Sequence, residues 1–447
     1  MNILTLFACC SPLISTASVS RLAAIAQAVL TMTGRMTMLG ISRWSEKGGS
    51  YRTIQRFYGE KLPWSEMLAE FVRHHLFDPQ HEYILAGDAT TVTKSGSETH
   101  GINRFFSGCL GVVVKGLEFF VISLIDVERR ESYPLAVKQT DRSAAETEAK
   151  KPRKKTKFKP KKKVKKLSGR PLGVLNKDKT KLNLSSELLR INDLLKTTMK
   201  LIKVFGAVKY LALDGHFGHN QAVLMAQANG LELISKLRKD AAVFEKYAGE
   251  YGGKGAKKRY GERIKYEKLP AKYLKKSEKD KENITNYYHG IFVHKSFAGS
   301  LNVVIIEKID VKKEQIGHAI LFGSDVELEW EKLIEYYRLR FQIEFNFRDA
   351  KQHFGLEDFM NTTEIGVENA ANISFMMVNV SAKLLKERGA NCVGINDLKS
   401  QFRGIKYAVE TIKLIQPKAE PILIEKVKAA ISRIGNIHRH NFAGYSA

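Results

Sequence analysis

The spacing of apolar residues divides the chain into predicted helices and predicted strands. Apolar residues recur at helical spacing over 22–30 and 188–202, so both stretches are predicted to be helices. Short apolar runs over 83–88, 209–213 and 231–237 instead predict buried strands. The mixture of the two patterns predicts a fold of the α/β class.

Further strands are predicted on either side of these runs. Val112–Val114 and Leu117–Asp126 are expected to be two strands joined by a hairpin turn at Lys115-Gly116. The stretch 246–322 mixes basic loop sequence with strand-like runs such as Gly290–His294 and Leu301–Ile306. It is predicted to be a β-rich insertion.

The C-terminal part of the chain is predicted to be helical. Ser324 followed by Glu327 is a capping-box pattern, which is expected to open helical sequence that runs to about His353. Three more helices are predicted over Ile365–Glu387, Asn396–Leu414 and Ile422–Ile434. The predicted domains are a helical N-terminal domain 1–78, the first part of a core 79–245, the β-rich insertion 246–322, a core helix 323–361 and a helical C-terminal subdomain 362–447.

The N-terminal domain contains a possible DNA-reading element. Met38–Glu46, the turn Lys47–Ser50 and Tyr51–Lys61 have the pattern of helix, tight turn, helix, with Ser50 as the N-cap of the second helix. Arg52 and Arg56 are four residues apart and share one face of that helix. The segment resembles a helix-turn-helix, whose second helix would enter a major groove. A helical hairpin with a solvated basic face is the alternative.

The charge of the chain predicts a polyanionic partner. The 447 residues carry a net charge of +26, and Lys and Arg in such excess repel one another unless phosphates neutralise them. No run of about 18 uncharged apolar residues occurs, so nucleic acid is favoured over a membrane. Four cysteines without C-x-x-C spacing predict neither a disulfide framework nor a zinc site and fit a reducing cytoplasm. Residues 1–20 lack a basic n-region, so they are predicted to be a packed or frayed segment and not an export signal.

One segment supplies half of the net charge. Lys150–Arg170 contains 13 basic residues and no acidic ones, and with prolines at 152, 160 and 171 it is predicted to be a disordered basic tether over 150–171. Contact with DNA would release counterions condensed on the phosphates, which favours phosphate binding over a linker without function.

Four side chains of the predicted core helix 323–361 share one face. On an uninterrupted helix Tyr337, Arg340, Glu344 and Lys351 fall within a stripe roughly 40° wide. An exposed face with an Arg340–Glu344 ion pair is the alternative. The apolar neighbours favour a largely buried helix, in which such a charged stripe needs a role: Phe341, Ile343, Phe345 and Phe347.

Two aspartates stand where predicted strands end. Asp88 follows the first buried strand and Asp214 follows the strand 209–213. If these strands are neighbours in one sheet, both carboxylates can share metal ions, and a carboxylate on a helix, Glu344, can complete the set. In-line cleavage of a phosphodiester uses two metal ions about 3.5–4 Å apart. Carboxylate ligands without a Cys or His set favour Mg²⁺, or Mn²⁺ in its place.

The spacing Tyr337-x2-Arg340-x3-Glu344-x6-Lys351 resembles the Tyr-Arg-Glu-Lys signature of DDE-type transposases of the insertion-sequence-four family of bacteria. Asp88-Ala89-Thr90 and Asp214-Gly215-His216-Phe217 occupy the places of the first and second aspartates of that family. The resemblance extends over about 83–361. A spaced signature with two upstream aspartates in order is a specific match.

The resemblance implies an RNase H-like core, a mixed five-stranded sheet with flanking helices, in which two aspartates lie on strands and the glutamate on a helix. It implies that Asp88, Asp214 and Glu344 bind two Mg²⁺ and that Tyr337, Arg340 and Lys351 grip double-stranded DNA at the terminal inverted repeats. Cleavage, a hairpin intermediate and strand transfer into target DNA would follow, with a dimer holding paired ends. Two alternatives stay open: a nuclease that never joins strands, and a DNA-binding regulator without catalysis.

Overall fold

The computed structural model describes residues 3–45, 49–108, 110–142, 178–251, 253, 258–280, 282–313, 315–388, 394–415 and 421–431. The predicted basic tether 150–171 lies outside the described residues. Among the residues that are described, no helix has both the length and the apolar character that crossing a lipid bilayer requires.

The N-terminal part is helical and well packed. Its helices are α1 (Ile3–Leu6), α2 (Thr16–Thr31), α3 (Met38–Trp44), α4 (Tyr51–Tyr58) and α5 (Trp64–His75). The first residues are packed as one of the two alternatives predicted, because Ile3, Leu6, Phe7 and Cys10 are buried. The Ser50 hydroxyl accepts a hydrogen bond from the Thr53 amide at 3.3 Å and caps α4, as the sequence predicted.

The strands form one large mixed sheet. They are β1 (Tyr83–Thr93), β2 (Asn103–Ser107), β3 (Val112–Asp126), β4 (Glu131–Gln139), β5 (Tyr210–Leu213), β6 (Glu232–Leu237), β7 (Val243–Lys246), β8 (Tyr260–Arg263), β9 (Leu274–Lys279), β10 (Asn283–His294), β11 (Ser300–Asp310) and β12 (Gln315–Gly323). Within the described part of the chain the order is β2-β3-β1-β5-β6-β12-β11-β10-β7-β8, with β4 on β3 and β9 on β10. The predicted mixed α/β class is confirmed.

The first half of the sheet brings the two predicted aspartate strands together. β1 pairs with β3 in antiparallel fashion and β3 with β4, a strand that the sequence did not predict. On its other edge β1 pairs with β5, and β5 with β6, both in parallel. Helices α6 (Ser186–Leu201) and α7 (Asn220–Ala228) precede and follow β5.

The predicted hairpin turn at Lys115-Gly116 is wrong, because β3 runs through it without a break. Gly116 pairs with Thr93 on one side and with Asn103 on the other, so pairing on both edges keeps the chain extended. A Cβ at this glycine would lie 2.1 Å from the carbonyl oxygen of Val92. Glycine therefore serves here for the close approach of two backbones and not for a turn.

The strands after β6 extend the same sheet. β12 returns antiparallel to β6, and β11 and β10 follow outward. The predicted strands Gly290–His294 and Leu301–Ile306 lie within β10 and β11.

The C-terminal helices are α8 (Trp330–Leu339), α9 (Gln342–His353), α10 (Glu364–Arg388), α11 (Ile395–Ile415) and α12 (Pro421–Ile431). The predicted capping box at Ser324 and Glu327 is wrong, since the helix begins only at Trp330. The Ser324 hydroxyl instead donates to Glu232 at 2.5 Å and accepts from the Leu233 amide at 2.8 Å, which joins this segment to β6. The single predicted helix is divided into α8 and α9 by Arg340 and Phe341.

Candidate active site

Asp88 and Asp214 lie side by side on two neighbouring parallel strands. The predicted strand end at Asp88 is wrong, because β1 runs on to Thr93, whereas Asp214 directly follows β5. The register aligns Ala86 with Ala212 and Gly87 with Leu213, so the next position on each chain is an aspartate. Adjacent strands lie about 4.8 Å apart, which brings the two carboxylates within reach of a shared cation. A Cβ at Gly87 would lie 2.9 Å from the Leu213 side chain, so glycine keeps the two strand ends close.

Nearby backbone amides orient the two carboxylates. Asp214 caps a short 3-10 helix, Gly215–Phe217, and its Oδ1 accepts from the His216 amide at 3.1 Å. Its carbonyl accepts from the Ser235 hydroxyl of β6 at 2.7 Å. Asp88 Oδ1 accepts from the Ala89 amide at 2.8 Å. One oxygen of each aspartate is thus held by the backbone.

The second oxygen of Asp88 faces Arg340. Arg340 Nη1 donates to Asp88 Oδ2 at 2.7 Å, and both side chains are largely buried, with exposed fractions of 14% and 18%. The alternative of an Arg340–Glu344 pair on an exposed face therefore does not describe this arginine. Its Nε is buried and has no hydrogen-bond partner within the described part of the chain. The guanidinium can therefore donate a hydrogen bond to a further oxygen atom, and phosphate has the right geometry to receive it.

Electrostatics place Glu344 with the two aspartates. Burial raises the pKa of the Asp88 carboxyl to about 6, the Arg340 charge opposes this rise, and the charges of Glu344 and Asp214 add to it. The charges of Glu344 and Asp214 are therefore close enough to act on the Asp88 carboxyl. Glu344 is half-buried in the first turn of α9.

Tyr337 and Lys351 lie on either side of this cluster. Arg340 stands 5.9 Å from the centre of the Tyr337 ring. Burial raises the pKa of the Tyr337 hydroxyl, and the nearby charges of Asp214 and Asp88 act in the same direction. Lys351 Nζ donates to the Thr91 carbonyl at 2.8 Å, three residues beyond Asp88 on β1.

The picture of one buried helix with a charged stripe needs two corrections. The interruption at Arg340 and Phe341 means that the 40° stripe of an uninterrupted helix does not apply across it. Phe341 and Phe345 are exposed and pack on each other at 5.7 Å, whereas Ile343 and Phe347 are buried.

Asn346 was not singled out from the sequence. This buried amide on α9 donates to the hydroxyls of Ser123 and Ser132, at 3.2 and 2.7 Å, and so fixes the helix to β3 and β4. An amide on the apolar face of a predicted helix was a usable signal, since buried amides need partners.

Arg52 and Arg56 are exposed on α4, the second helix of the predicted helix-turn-helix. No described ion pair connects them to the site, and their DNA contact stays a prediction.

A second acidic cluster lies at the other end of β1. His81, Asp126 and Glu128 are close enough together to hold a cation. Asp126 is fully buried, however, and its oxygens already receive His81 Nδ1 at 2.9 Å and the Arg129 guanidinium at 3.4 Å. Asp126 pairs with Tyr83, five residues before Asp88. We assign this cluster a structural role because Arg129 already supplies the neutralising charge.

Comparison with known families supports the chemistry that this geometry indicates. A family model described as DDE superfamily endonuclease matches residues 9–289, which is more than half of the chain. The chain belongs to the DDE superfamily of endonucleases. The matched residues include Asp88 and Asp214 and end before Glu344. Membership implies a nuclease or transposase that acts on DNA with divalent metal ions. A search of curated proteins found no match.

Proposed function

We propose that the chain is a transposase of the insertion-sequence-four family, which cleaves the terminal inverted repeats of a mobile element and joins the ends to target DNA. The observation that carries this proposal is the alignment of Asp88 with Asp214 on paired parallel strands, with Arg340 bonded to Asp88 and the charge of Glu344 acting on it. The Tyr-Arg-Glu-Lys spacing of the sequence supports it.

The order of strands supports an RNase H-like core. Five neighbouring strands, β4-β3-β1-β5-β6, comprise an antiparallel meander followed by two parallel strands. The aspartates belong to the central strands, and the glutamate to a helix against them. In this proposal β7–β12 are the insertion, and they lengthen the sheet without interrupting the five strands.

Asp88, Asp214 and Glu344 would hold two Mg²⁺ ions, or Mn²⁺ in their place. Their hard carboxylate oxygens suit these cations, and the proposed ligand set contains no Cys or His that would favour a softer metal. When bound, the ions activate the attacking oxygen and stabilise the leaving oxygen.

The side chains of the signature position the phosphodiester. Arg340 offers its unpartnered Nε and remaining amino group to a phosphate oxygen, while Tyr337 and Lys351 bound the site on either side. In cleavage the oxygen of water bonds to phosphorus, its proton passes to solvent, and the P–O3′ bond breaks to give a 3′-hydroxyl. In joining, that hydroxyl gives its proton to solvent while its oxygen bonds to a target phosphorus. The P–O3′ bond of the target breaks, and the target's 3′ oxygen leaves and takes up a proton from solvent.

Joining two ends requires both ends in one complex, so a dimer on paired DNA ends is part of the proposal. The decisive experiment incubates the full chain with labelled duplexes carrying the element's terminal repeats, a target plasmid and Mg²⁺. Joined product supports a transposase, and hairpin-ended fragments would add the hairpin step. Cleavage alone identifies a nuclease that does not join strands, and binding without cleavage identifies a DNA-binding regulator.

A further inference from the structure

The hairpin made by β2 and the start of β3 carries large apolar side chains in solvent. Four of them are each between 54% and 63% exposed, and we call them the apolar tip: Phe106, Leu110, Val112 and Val113. Phe106 and Val113 are paired across the hairpin, so their side chains lie together on one face. Large apolar side chains that are exposed together, as Phe106 and Val113 are, mark a contact site for a partner.

The hairpin is fixed next to the candidate active site. The Thr91 hydroxyl donates to the Phe106 carbonyl at 3.3 Å, and the Thr91 carbonyl accepts from Lys351 Nζ at 2.8 Å. Thr91 is three residues beyond Asp88 on β1, a distance of about 10 Å along a strand. DNA held at Asp88 would therefore pass close to the apolar tip.

Local contacts hold the hairpin in this position. The close approach of Gly116 to Val92 joins its base to β1, and the Lys94 amide donates to the Lys115 carbonyl at 3.2 Å. Arg142 donates to the Arg104 carbonyl at 2.8 Å and covers the buried ring of Phe105 at 4.2 Å. These contacts hold in place the hairpin that carries the apolar tip.

The charge of the hairpin favours nucleic acid as its partner. Arg104 and Lys115 are exposed, are paired across the strands, and lie two residues from Phe106 and Val113 on the same face. Residues 101–117 contain no acidic side chain. A second copy of this chain would bring a like charge of +26, whereas DNA brings phosphates beside apolar base faces.

We propose that the apolar tip is a DNA wedge. Phe106 and Val113 enter between base steps next to the phosphodiester that is held for cleavage, while Arg104 and Lys115 contact the flanking phosphates. Apolar wedges of this type partly unstack a step and bend the duplex, which would expose a phosphate to a recessed site. The inference rests on the proposed function, because it needs DNA at Asp88.

The test compares two probes in Ca²⁺, so that binding is measured apart from catalysis. One is a fully paired duplex of mixed sequence, and the other is the same duplex with two adjacent mismatches, which are cheaper to unstack. Fluorescence anisotropy should show that the full chain prefers the mismatched probe. Phe106→Ser with Val113→Ser should weaken binding of the mismatched probe about tenfold and remove the preference.

Two further variants make the result specific. Ile316→Ser is the matched control, since Ile316 is an apolar residue of similar exposure, 62%, on β12, a strand that does not contact the hairpin, and it should keep the preference. Arg104→Gln should weaken both probes and lower the salt dependence of binding. Thermal unfolding of each variant confirms that it folds.

The wedge is overturned if the double variant keeps the preference for the mismatched probe. It is also overturned if light scattering shows that the double variant loses only self-association, because the apolar tip then contacts a second copy. If the full chain cleaves DNA and the double variant keeps the preference for the mismatched probe, the wedge is refuted and the proposed function is not. A full chain that binds neither probe refutes the proposed function as well.

Discussion

Arg340 and Asp88 form a largely buried ion pair of 2.7 Å between the junction of α8 and α9 and the central strand β1. Any divalent cation on Asp88 needs the oxygen to which this guanidinium is bonded. The same guanidinium has a buried Nε without a described partner, so it can also bond to a phosphate oxygen. Arg340 and a metal ion therefore compete for binding to Asp88. In the same way, a DNA phosphate and Asp88 compete for the hydrogen bonds of Arg340.

This relationship predicts opposite effects of Arg340→Gln on two ligands. Removal of the competing charge should raise the affinity of the DNA-free protein for Mn²⁺ roughly tenfold at pH 8.5, because a hydrogen bond to a charged group is lost. The affinity for duplex DNA should fall by a similar factor. Calorimetry measures the affinity for Mn²⁺, and fluorescence anisotropy measures the affinity for DNA. Arg348→Gln is the control, since Arg348 pairs with its neighbour Asp349 on the exposed side of α9, and unchanged metal affinity in Arg340→Gln would contradict the competition.

The role of Glu344 predicts a separation of cleavage from binding. Glu344→Gln keeps the size of the side chain but removes a charged ligand, so the rate of cleavage should fall by at least roughly a thousandfold. Affinity for DNA in Ca²⁺ should change little, because no cationic contact is lost. Gel analysis of labelled duplexes gives the rate. Glu335→Gln makes the same change on α8, where Glu335 pairs with Arg130, and should cleave normally; a Glu344→Gln variant that still cleaves would show that the assignment is wrong.

Local sequence patterns predicted the elements that carry the site, and non-local contacts decided what the patterns missed. The apolar runs before Asp88 and Asp214 correctly predicted strands, because strand burial is visible in a few residues. At Lys115-Gly116 the turn signal was overridden by pairing on both edges of β3. At Ser324 the capping hydroxyl was already bonded to β6.

The partner of Arg340 could not be predicted for the same reason. Spacing along one helix suggested Glu344, four residues away, whereas the fold supplies Asp88 from a distant strand. The exposed hairpin at Phe106 also depends on the pairing of β3 with both β1 and β2, which no short window contains. The sequence showed the types of residue that make up the site. Their positions relative to one another depend on how the strands pair in the sheet.

Asn346 is predicted to stabilise the position of α9. Asn346→Leu keeps a similar volume but removes the donors to the buried Ser123 and to Ser132, so the free energy of unfolding should fall by about 1–3 kcal/mol. Urea denaturation measures this change. Gln352→Leu, at an exposed position of the same helix, should stay within about 0.5 kcal/mol of the parent chain. Equal stabilities of the two variants would contradict the anchoring role.

Because Lys399 is buried, we predict that it contributes more to the stability of the protein at alkaline pH. Its Nζ is buried on α11 and donates to the carbonyl of His353, the last residue of α9, at 2.9 Å. Burial, helped by the charge of Arg403, lowers the pKa of Lys399 from 10.5 to about 8. Between these two values the unfolded chain still holds a proton that the folded chain has released, so this lysine's contribution to stability rises with pH.

The measurement is the free energy of unfolding at pH 7.5 and pH 10 for the parent chain and for Lys399→Met. Other titrating groups cancel in the difference between the two proteins. The parent should gain roughly 1–3 kcal/mol relative to Lys399→Met over this range, since each pKa unit corresponds to about 1.4 kcal/mol. Lys399→Arg keeps its charge throughout and should gain nothing. A difference that is flat with pH would mean that the ammonium of Lys399 keeps its proton in the folded protein, and the buried bond to His353 would then be a charged one.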